Sequence, residues 1–124
     1  MSALSNSGFK PPEDDSKYSW TWHASDKMRY YRIYPGRVKR IIRSPERVEE
    51  GIAPNTVAAM QTAGNKNREE IWVMYQPTTK TPSPYKPSGD SEKIRIITAW
   101  RYPGESSKGN PVPKNIMKEV ESLL

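Results

Sequence analysis

The segment KIRIITAWRY, residues 93–102, constrains the fold of this chain more than any other part of its sequence. One set of large side chains recurs at every second position, which is the period of a β-strand. Pro103 and Gly104 follow directly and end the strand. The predicted faces of this strand are Ile94, Ile96, Thr98, Trp100 and Tyr102 on one side, and Arg95, Ile97, Ala99 and Arg101 on the other.

The N-terminal half combines one short strand with two helices. The run YSWTW, residues 18–22, alternates aromatic and small polar residues, and this pattern predicts a strand with its three aromatic rings on one face. A helix follows, in which Ser25 or Asp26 satisfies the free amides of the first turn. A second helix begins at Pro35 and ends before Pro45. The apolar positions of the two helices are Ala24, Met28 and Tyr31, then Val38, Ile41 and Ile42.

Further strands and a last helix complete the predicted fold. The segments ERVEEG, NTVAAMQTAG and REEIWVMYQ each favour a strand, and Pro113 begins a helix with Ile116 and Val120 on its apolar stripe. The resulting order predicts an α+β domain. In this fold two N-terminal helices pack on an antiparallel sheet (β-α-α-β-β-β-β), and a C-terminal helix follows.

Two polar segments rich in proline and serine set the domain boundaries. Residues 1–17 and 77–91 bury too little apolar surface to offset their ordering entropy, and they contribute to the mean hydropathy of −0.90. We therefore predict a flexible tail at 1–17 and an α+β domain at 18–103 that carries a Pro-rich loop at 77–91. Residues 104–124 are predicted to form a linker and the C-terminal helix.

The composition also narrows the classes of function. No stretch supplies the ~18 apolar residues that a membrane span requires, and the first residues lack the apolar core of a secretory signal. The chain has no cysteine and a single histidine, His23. The sequence therefore predicts no disulfide, no metal site and no cofactor, and it predicts a cytoplasmic protein.

The basic residues of the chain are concentrated in one section. The net charge is +6, and the acidic residues collect elsewhere. A local basic surface is what phosphate contacts require, so the sequence predicts a nucleic-acid partner, with a solvated helical face as the alternative. The cluster consists of Lys27, Arg29, Arg32, Arg37, Lys39, Arg40, Arg43 and Arg47.

The first helix opens with a recognisable motif. His23-Ala24, Met28 and Ile33 match the pattern His-Ala-x-x-Arg-Met-x-x-Arg-Gly-Ile, and a valine and a proline follow at the expected positions, 38 and 45. On these residues the chain resembles, over about 18–103, a family of small bacterial and phage domains. That family looks like a relative of the RelE/ParE and BrnT toxin folds.

The resemblance carries expectations about fold and function. It implies two helices on an antiparallel sheet, RNA cleavage as the activity, RNA or a ribosome as the target, and a cognate antitoxin protein as a partner. The chain departs from the pattern at Lys27, Tyr31 and Arg32, where the family has Arg, Arg and Gly. Lys27 keeps the charge of the first arginine but loses its planar fork of donors.

Metal-independent cleavage of RNA needs a base, an acid, and cations that hold the phosphate. His23 is the candidate base, because its ordinary pKa lies near neutrality and the positive end of the helix dipole should lower that pKa. Lys27 lies one turn further along the same face and is the second catalytic candidate. The candidate nucleic-acid contacts are Arg29, Arg40, Arg43, Arg47, Arg95 and Arg101.

Other interpretations of the same residues stay open. His23 can instead be structural, packing under Trp22 or capping the helix. The aromatic residues can stack unpaired bases or belong to the core; those concerned are Trp72, Trp100, Tyr30 and Tyr34. Finally, the chain can be a non-catalytic protein-interaction domain whose C-terminal helix docks into a partner's groove, unless that helix covers its own sheet.

Overall fold

The computed structural model describes residues 9–52, 55–64, 66–79, 92–109 and 111–122. These residues form an α+β fold, which confirms the predicted fold class. The elements are β1 (Tyr18–Trp20), α1 (Trp22–Tyr31), α2 (Pro35–Arg43), β2 (Arg47–Glu50), β3 (Val57–Ala63), β4 (Glu69–Thr79), β5 (Glu92–Pro103) and α3 (Lys114–Glu121).

The strands form a five-stranded sheet in the order β1-β5-β4-β3-β2 across the described part of the chain. Strands β2 to β5 are an antiparallel meander, as predicted, because each connects to its neighbour in sequence. Strand β1 adds a parallel edge, in which Tyr18 pairs with Ile94 and Trp20 with Ile96. Strand β1 ends at Trp20, and helix α1, which follows it, packs against β5.

Each face of the sheet has its own apolar core. On one face α1 and α2 bury Ala24, Met28 and Val38 against strand residues that include Ile71 and Val73. On the other face α3 buries its apolar stripe. The second core consists of Ala58, Met60, Trp72, Met74, Ile97, Trp100, Ile116 and Val120. The C-terminal helix therefore covers its own sheet, and its apolar stripe is not presented to a partner.

Strand β5 does not keep the simple alternation that the sequence predicts. Met74 pairs with Thr98 while Tyr75 pairs with Ile96, so one residue of β5, Ile97, has no counterpart on β4. Such a β-bulge shifts the alternation of every side chain beyond it. The predicted faces are wrong past this point, because Ala99 now lies with Ile94 and Ile96, whereas Ile97 and Trp100 lie in the α3 core.

The start of α1 also differs from the prediction. The cap is Thr21, whose Oγ1 accepts a hydrogen bond from the Ala24 amide at 2.9 Å and donates one to the Ile97 carbonyl at 2.8 Å. The helix therefore begins at Trp22, earlier than the predicted caps Ser25 and Asp26 allow. The prediction that Trp22 belongs to the strand is therefore wrong: it is the first residue of α1, and it is 83% exposed.

The turn between α1 and α2 contains a left-handed residue. Arg32, which stands where the resembled family has glycine, adopts φ 56° and ψ 50°, and its amide bonds back to the end of α1. This conformation favours glycine, because a side chain there costs on the order of 1 kcal/mol. Helix α2 then begins at Pro35, as predicted.

The predicted tail and loop lie only partly within the described residues. In the tail segment, Phe9 packs against the α1–α2 core, and the Asp15 carboxylate accepts hydrogen bonds from the amides of Lys17 and Tyr18. Strand β4 continues to Thr79, so it includes the first residues of the predicted Pro-rich loop. The rest of both segments, 1–8 and 80–91, lies outside the described residues. Among the described helices, none has the length and apolar character to cross a membrane.

Candidate functional site

A cleft of about 560 Å³ lies between the first turn of α1, the middle of β5 and helix α3. Its volume falls in the range of sites that bind small organic ligands. The Thr21 cap determines where the cleft lies, because the hydrogen bond from its hydroxyl to the Ile97 carbonyl holds the start of α1 against β5 at the bulge. The residues that line the cleft are Thr21, Trp22, His23, Asp26, Lys27, Arg95, Ile97, Glu119 and Ser122.

His23 lies in the first turn of α1 with only 12% of its side chain exposed. Its Nε2 atom is 3.5 Å from Oε2 of Glu119 and makes no hydrogen bond within the described part of the chain. Burial lowers the pKa of His23, Glu119 opposes that effect, and Lys27 adds to it. The direction agrees with the sequence-based expectation, and burial is its largest cause. The imidazole is therefore mainly neutral at pH 7.

Lys27 lies one turn after His23 and forms an ion pair across the cleft. Its Nζ atom is 2.9 Å from Oε2 and 3.1 Å from Oε1 of Glu119 on α3. The same ammonium lies 5.7 Å from the centre of the Tyr30 ring. One carboxylate thus faces both predicted catalytic side chains.

Sequence reasoning missed Glu119, although the local pattern determines where it points. Ile116 and Val120 are fully buried against the sheet, and Glu119 stands beside Val120 on the helix. The buried stripe fixes the rotation of α3, so the carboxylate is turned toward α1. No local signal connects Glu119 to Lys27, because the two residues are distant in sequence and meet only through the fold.

Arg95 approaches the same cleft from β5. It is exposed, and it takes part in no ion pair or side-chain hydrogen bond among the described residues. Trp22 lies at the cleft with most of its indole in water. The fold therefore joins three predicted site residues, His23, Lys27 and Arg95, and adds an exposed aromatic ring.

Arg47 is directed into the protein instead of into the cleft. Its guanidinium donates to the carbonyl oxygens of Ser106 at 2.9 Å and Ser107 at 2.8 Å, and to Glu49 at 3.0 Å. It also lies 5.0 Å from the centre of the Trp72 ring. These contacts occupy its donors, so the geometry gives Arg47 a structural role.

Arg101 is engaged in a similar way near the end of α1. It donates to the Tyr31 carbonyl at 2.7 Å and to the Arg32 carbonyl at 3.2 Å, and it pairs with Glu69. The carbonyls at a helix C-terminus lack partners within the helix, so this arginine completes the end of α1. It does not line the cleft.

The remaining basic candidates lie on the helices outside the cleft lining. Arg29 on α1 and Arg40 and Arg43 on α2 are exposed. The guanidinium carbon of Arg29 lies 5.7 Å from the Phe9 ring centre. These cations contribute to the general positive field, while only Arg95 among the predicted arginines reaches the cleft.

The aromatic candidates divide between core and surface. Trp72 and Trp100 are fully buried and stack on each other with ring centres 5.8 Å apart, so they belong to the core. Tyr30 and Tyr34 are exposed by 74% and 53%. Trp22, which the sequence placed in a strand, joins them as an exposed ring.

Comparison with known proteins identifies no relative. No family model, no curated protein and no solved structure matches this chain. Within the described ranges, no group of three or more His, Cys, Asp and Glu side chains is placed to hold a metal ion. The site is therefore interpreted from its own geometry.

Proposed function

We propose that this chain binds single-stranded RNA in the cleft between α1, β5 and α3. The observation that carries the proposal is the convergence of His23 and Lys27 from α1 with Arg95 from β5, beside the exposed ring of Trp22. A phosphate contacts Arg95 and a base stacks on Trp22. The net charge of +6 attracts the strand from a distance.

Trp22 gives the cleft its preference for unpaired bases. An indole that is 83% exposed contributes little to the core. An unpaired base stacked on an aromatic side chain gains ~1–3 kcal/mol, and this gain is lost for a base that is held in a duplex. The expected toxin-like activity on RNA agrees with such a ligand, and RNA or a ribosome remains the proposed target.

Replacing Trp22 by alanine is expected to weaken binding of a short single-stranded RNA about 5- to 150-fold, because it removes one stacking platform.

Arg95→Gln is expected to make the negative slope of log K against log salt less steep by about one, because it removes one phosphate contact. Fluorescence anisotropy over a salt series measures both effects. The matched control is Arg43→Gln, which removes the same charge from an exposed position outside the cleft. Equal effects of the two arginine variants would assign binding to overall charge and not to the cleft.

Glu119 competes with the phosphate in this proposal. Its carboxylate lies against Lys27 and close to His23, so an RNA phosphate must displace it to reach either side chain. Glu119→Gln is expected to raise RNA affinity about 5- to 10-fold, since a like charge at contact distance costs on the order of 1 kcal/mol at a protein surface. Glu121→Gln, an equal change of charge on the exposed side of α3, is the control. If both variants gain equally, Glu119 does not occupy the phosphate position.

A metal-independent ribonuclease activity is the second candidate, and the neutral, cleft-lining imidazole of His23 favours it. Once Glu119 has moved, His23 takes the proton of a 2′-hydroxyl, and the 2′-oxygen attacks the adjacent phosphorus. The bond to the 5′-oxygen breaks, a 2′,3′-cyclic phosphate forms, and Lys27 protonates the leaving oxygen. Arg95 stabilises the charge that develops on the phosphate. An antitoxin that inhibits such an enzyme would cover the same cleft.

A further inference from the structure

The outer face of α1 carries an aromatic stripe that continues away from the cleft. Trp22, Asp26, Arg29 and Tyr30 stand at positions i, i+4, i+7 and i+8, which lie on one side of a helix. All four are exposed, whereas Ala24 and Met28 on the opposite side are fully buried. The stripe thus presents two large rings and one arginine to solvent on a single rigid element.

The second ring of the stripe is held in a defined orientation. Tyr30 packs edge-on against Tyr31, with ring centres 4.8 Å apart and an interplanar angle of 88°. The Lys27 ammonium lies 5.7 Å from the centre of its ring. Tyr30 is nevertheless 74% exposed. A ring that is already oriented loses little side-chain entropy when a ligand stacks on it, which favours binding.

From this geometry we infer that Tyr30 is a second base-stacking subsite, and that a single RNA strand runs from the cleft along the outer face of α1. The inference rests on the proposed function, because it takes Trp22 as the first subsite. Arg29 is exposed in line with Trp22, two turns further along α1, with its guanidinium carbon 5.7 Å from the Phe9 ring centre, and it supplies a phosphate contact. Asp26 lies between the two rings and repels phosphates, so the backbone follows the Arg29 side and the bases face Trp22 and Tyr30.

The spacing of the two rings sets the kind of strand that fits. Eight residues at a helical rise of ~1.5 Å place Trp22 and Tyr30 about 12 Å apart along the axis. Neighbouring bases in a duplex strand are only ~3.4 Å apart. The two stacked bases are therefore not neighbours, and the strand between them must leave its regular stack. An unpaired strand of at least three nucleotides meets this requirement, whereas a duplex keeps its bases inside.

A length series of ligands tests the second subsite. The probes are a nucleoside 5′-monophosphate, a single-stranded RNA hexamer and the same hexamer paired with its complement, each titrated against the full chain. Tyr30→Ala is expected to weaken hexamer binding about 5- to 150-fold and to leave monophosphate binding unchanged. Trp22→Ala is expected to weaken both ligands. The duplex is expected to bind more weakly than the free hexamer to the wild type.

Two controls separate stacking from other effects of the substitution. Tyr30→Phe keeps the ring and is expected to retain wild-type affinity for the hexamer. Tyr34→Ala removes an exposed ring that lies outside α1, and it is expected to weaken hexamer binding much less than Tyr30→Ala does. Circular dichroism melting checks that each variant is folded.

The binding of the two alanine variants distinguishes a failure of the Tyr30 subsite from a failure of RNA binding in the cleft. If Trp22→Ala weakens hexamer binding and Tyr30→Ala does not, the second subsite is overturned and the cleft proposal stands. If the wild type binds no hexamer at low salt, both are overturned. If Tyr30→Ala weakens monophosphate and hexamer equally, Tyr30 belongs to the first subsite, and the path along α1 is overturned.

Discussion

Under the ribonuclease proposal, the His23→Gln variant is expected to cleave RNA roughly 10²–10⁴-fold more slowly than the wild type, because glutamine cannot take the 2′-hydroxyl proton. Cleavage of a labelled single-stranded RNA in EDTA, under single-turnover conditions, measures the loss. Arg43→Gln, purified in parallel, is the control and is expected to lose far less activity, because Arg43 does not line the cleft. A variant that remains as active as the wild type while its melting temperature falls would make His23 a structural residue of the α1–α3 contact.

The pH profile of cleavage is a second measure of the same role. Burial lowers the pKa of His23 below its ordinary value, and the base form exists above that pKa. The acidic fall in activity should therefore lie at lower pH than the titration of an ordinary histidine. A rate that rises as the pH falls through that range would require a protonated imidazole, and it would contradict a role as general base.

The regular elements of this fold could be predicted because their signals are local. The alternation in β4 and the stripe of α2 arise within short windows, and Pro35 marks a helix start through its own fixed φ angle. The bulge at Ile97 could not be predicted, because it depends on how β5 pairs with β4. The same holds for Thr21, whose hydroxyl is fixed by a carbonyl far away in sequence.

The candidate site shows the same division between local and distant information. His23 and Lys27 could be paired in advance, because one helical turn separates them. Arg95 was one of several plausible arginines, and charge alone could not distinguish it from Arg47, whose donors are used inside the protein. Glu119 had no signal at all, since its importance arises from the packing of α3 against the sheet.

Arg47 also compensates a buried charge. Glu70 is fully buried, and its Oε1 accepts hydrogen bonds from Ser106 Oγ at 2.6 Å and Trp72 Nε1 at 2.9 Å. Its Oε2 has no hydrogen-bond donor within the described residues, and the Arg47 guanidinium lies 3.6 Å away. Burial raises the pKa of Glu70, but the bonds from Ser106 and Trp72 and the charge of Arg47 outweigh it, so the pKa lies below its usual value. The carboxylate is therefore ionised at neutral pH.

Arg47→Met is accordingly expected to lower the free energy of unfolding by about 3 kcal/mol, because it removes the nearer of two cations beside the buried Glu70 carboxylate and leaves only the half-exposed Arg68, whose Nη2 lies 3.9 Å from Oε2. Small domains are stable by only about 5–15 kcal/mol, so this loss is a large share of the total. Urea unfolding followed by tryptophan fluorescence measures it. Arg43→Met, at an exposed position, is the control and is expected to change stability by less than about 0.5 kcal/mol.

The same variant decides between the two roles that Arg47 has been given. If the role of Arg47 is structural, the substitution should destabilise the fold. RNA affinity should then change little at temperatures where the variant is still folded. Adding Glu70→Gln to Arg47→Met should restore part of the lost stability, because it removes a buried charge that only the more distant Arg68 still compensates. If Arg47→Met instead keeps wild-type stability and loses RNA binding, its guanidinium contacts phosphate, and the hydrogen bonds to Ser106 and Ser107 do not hold it in solution.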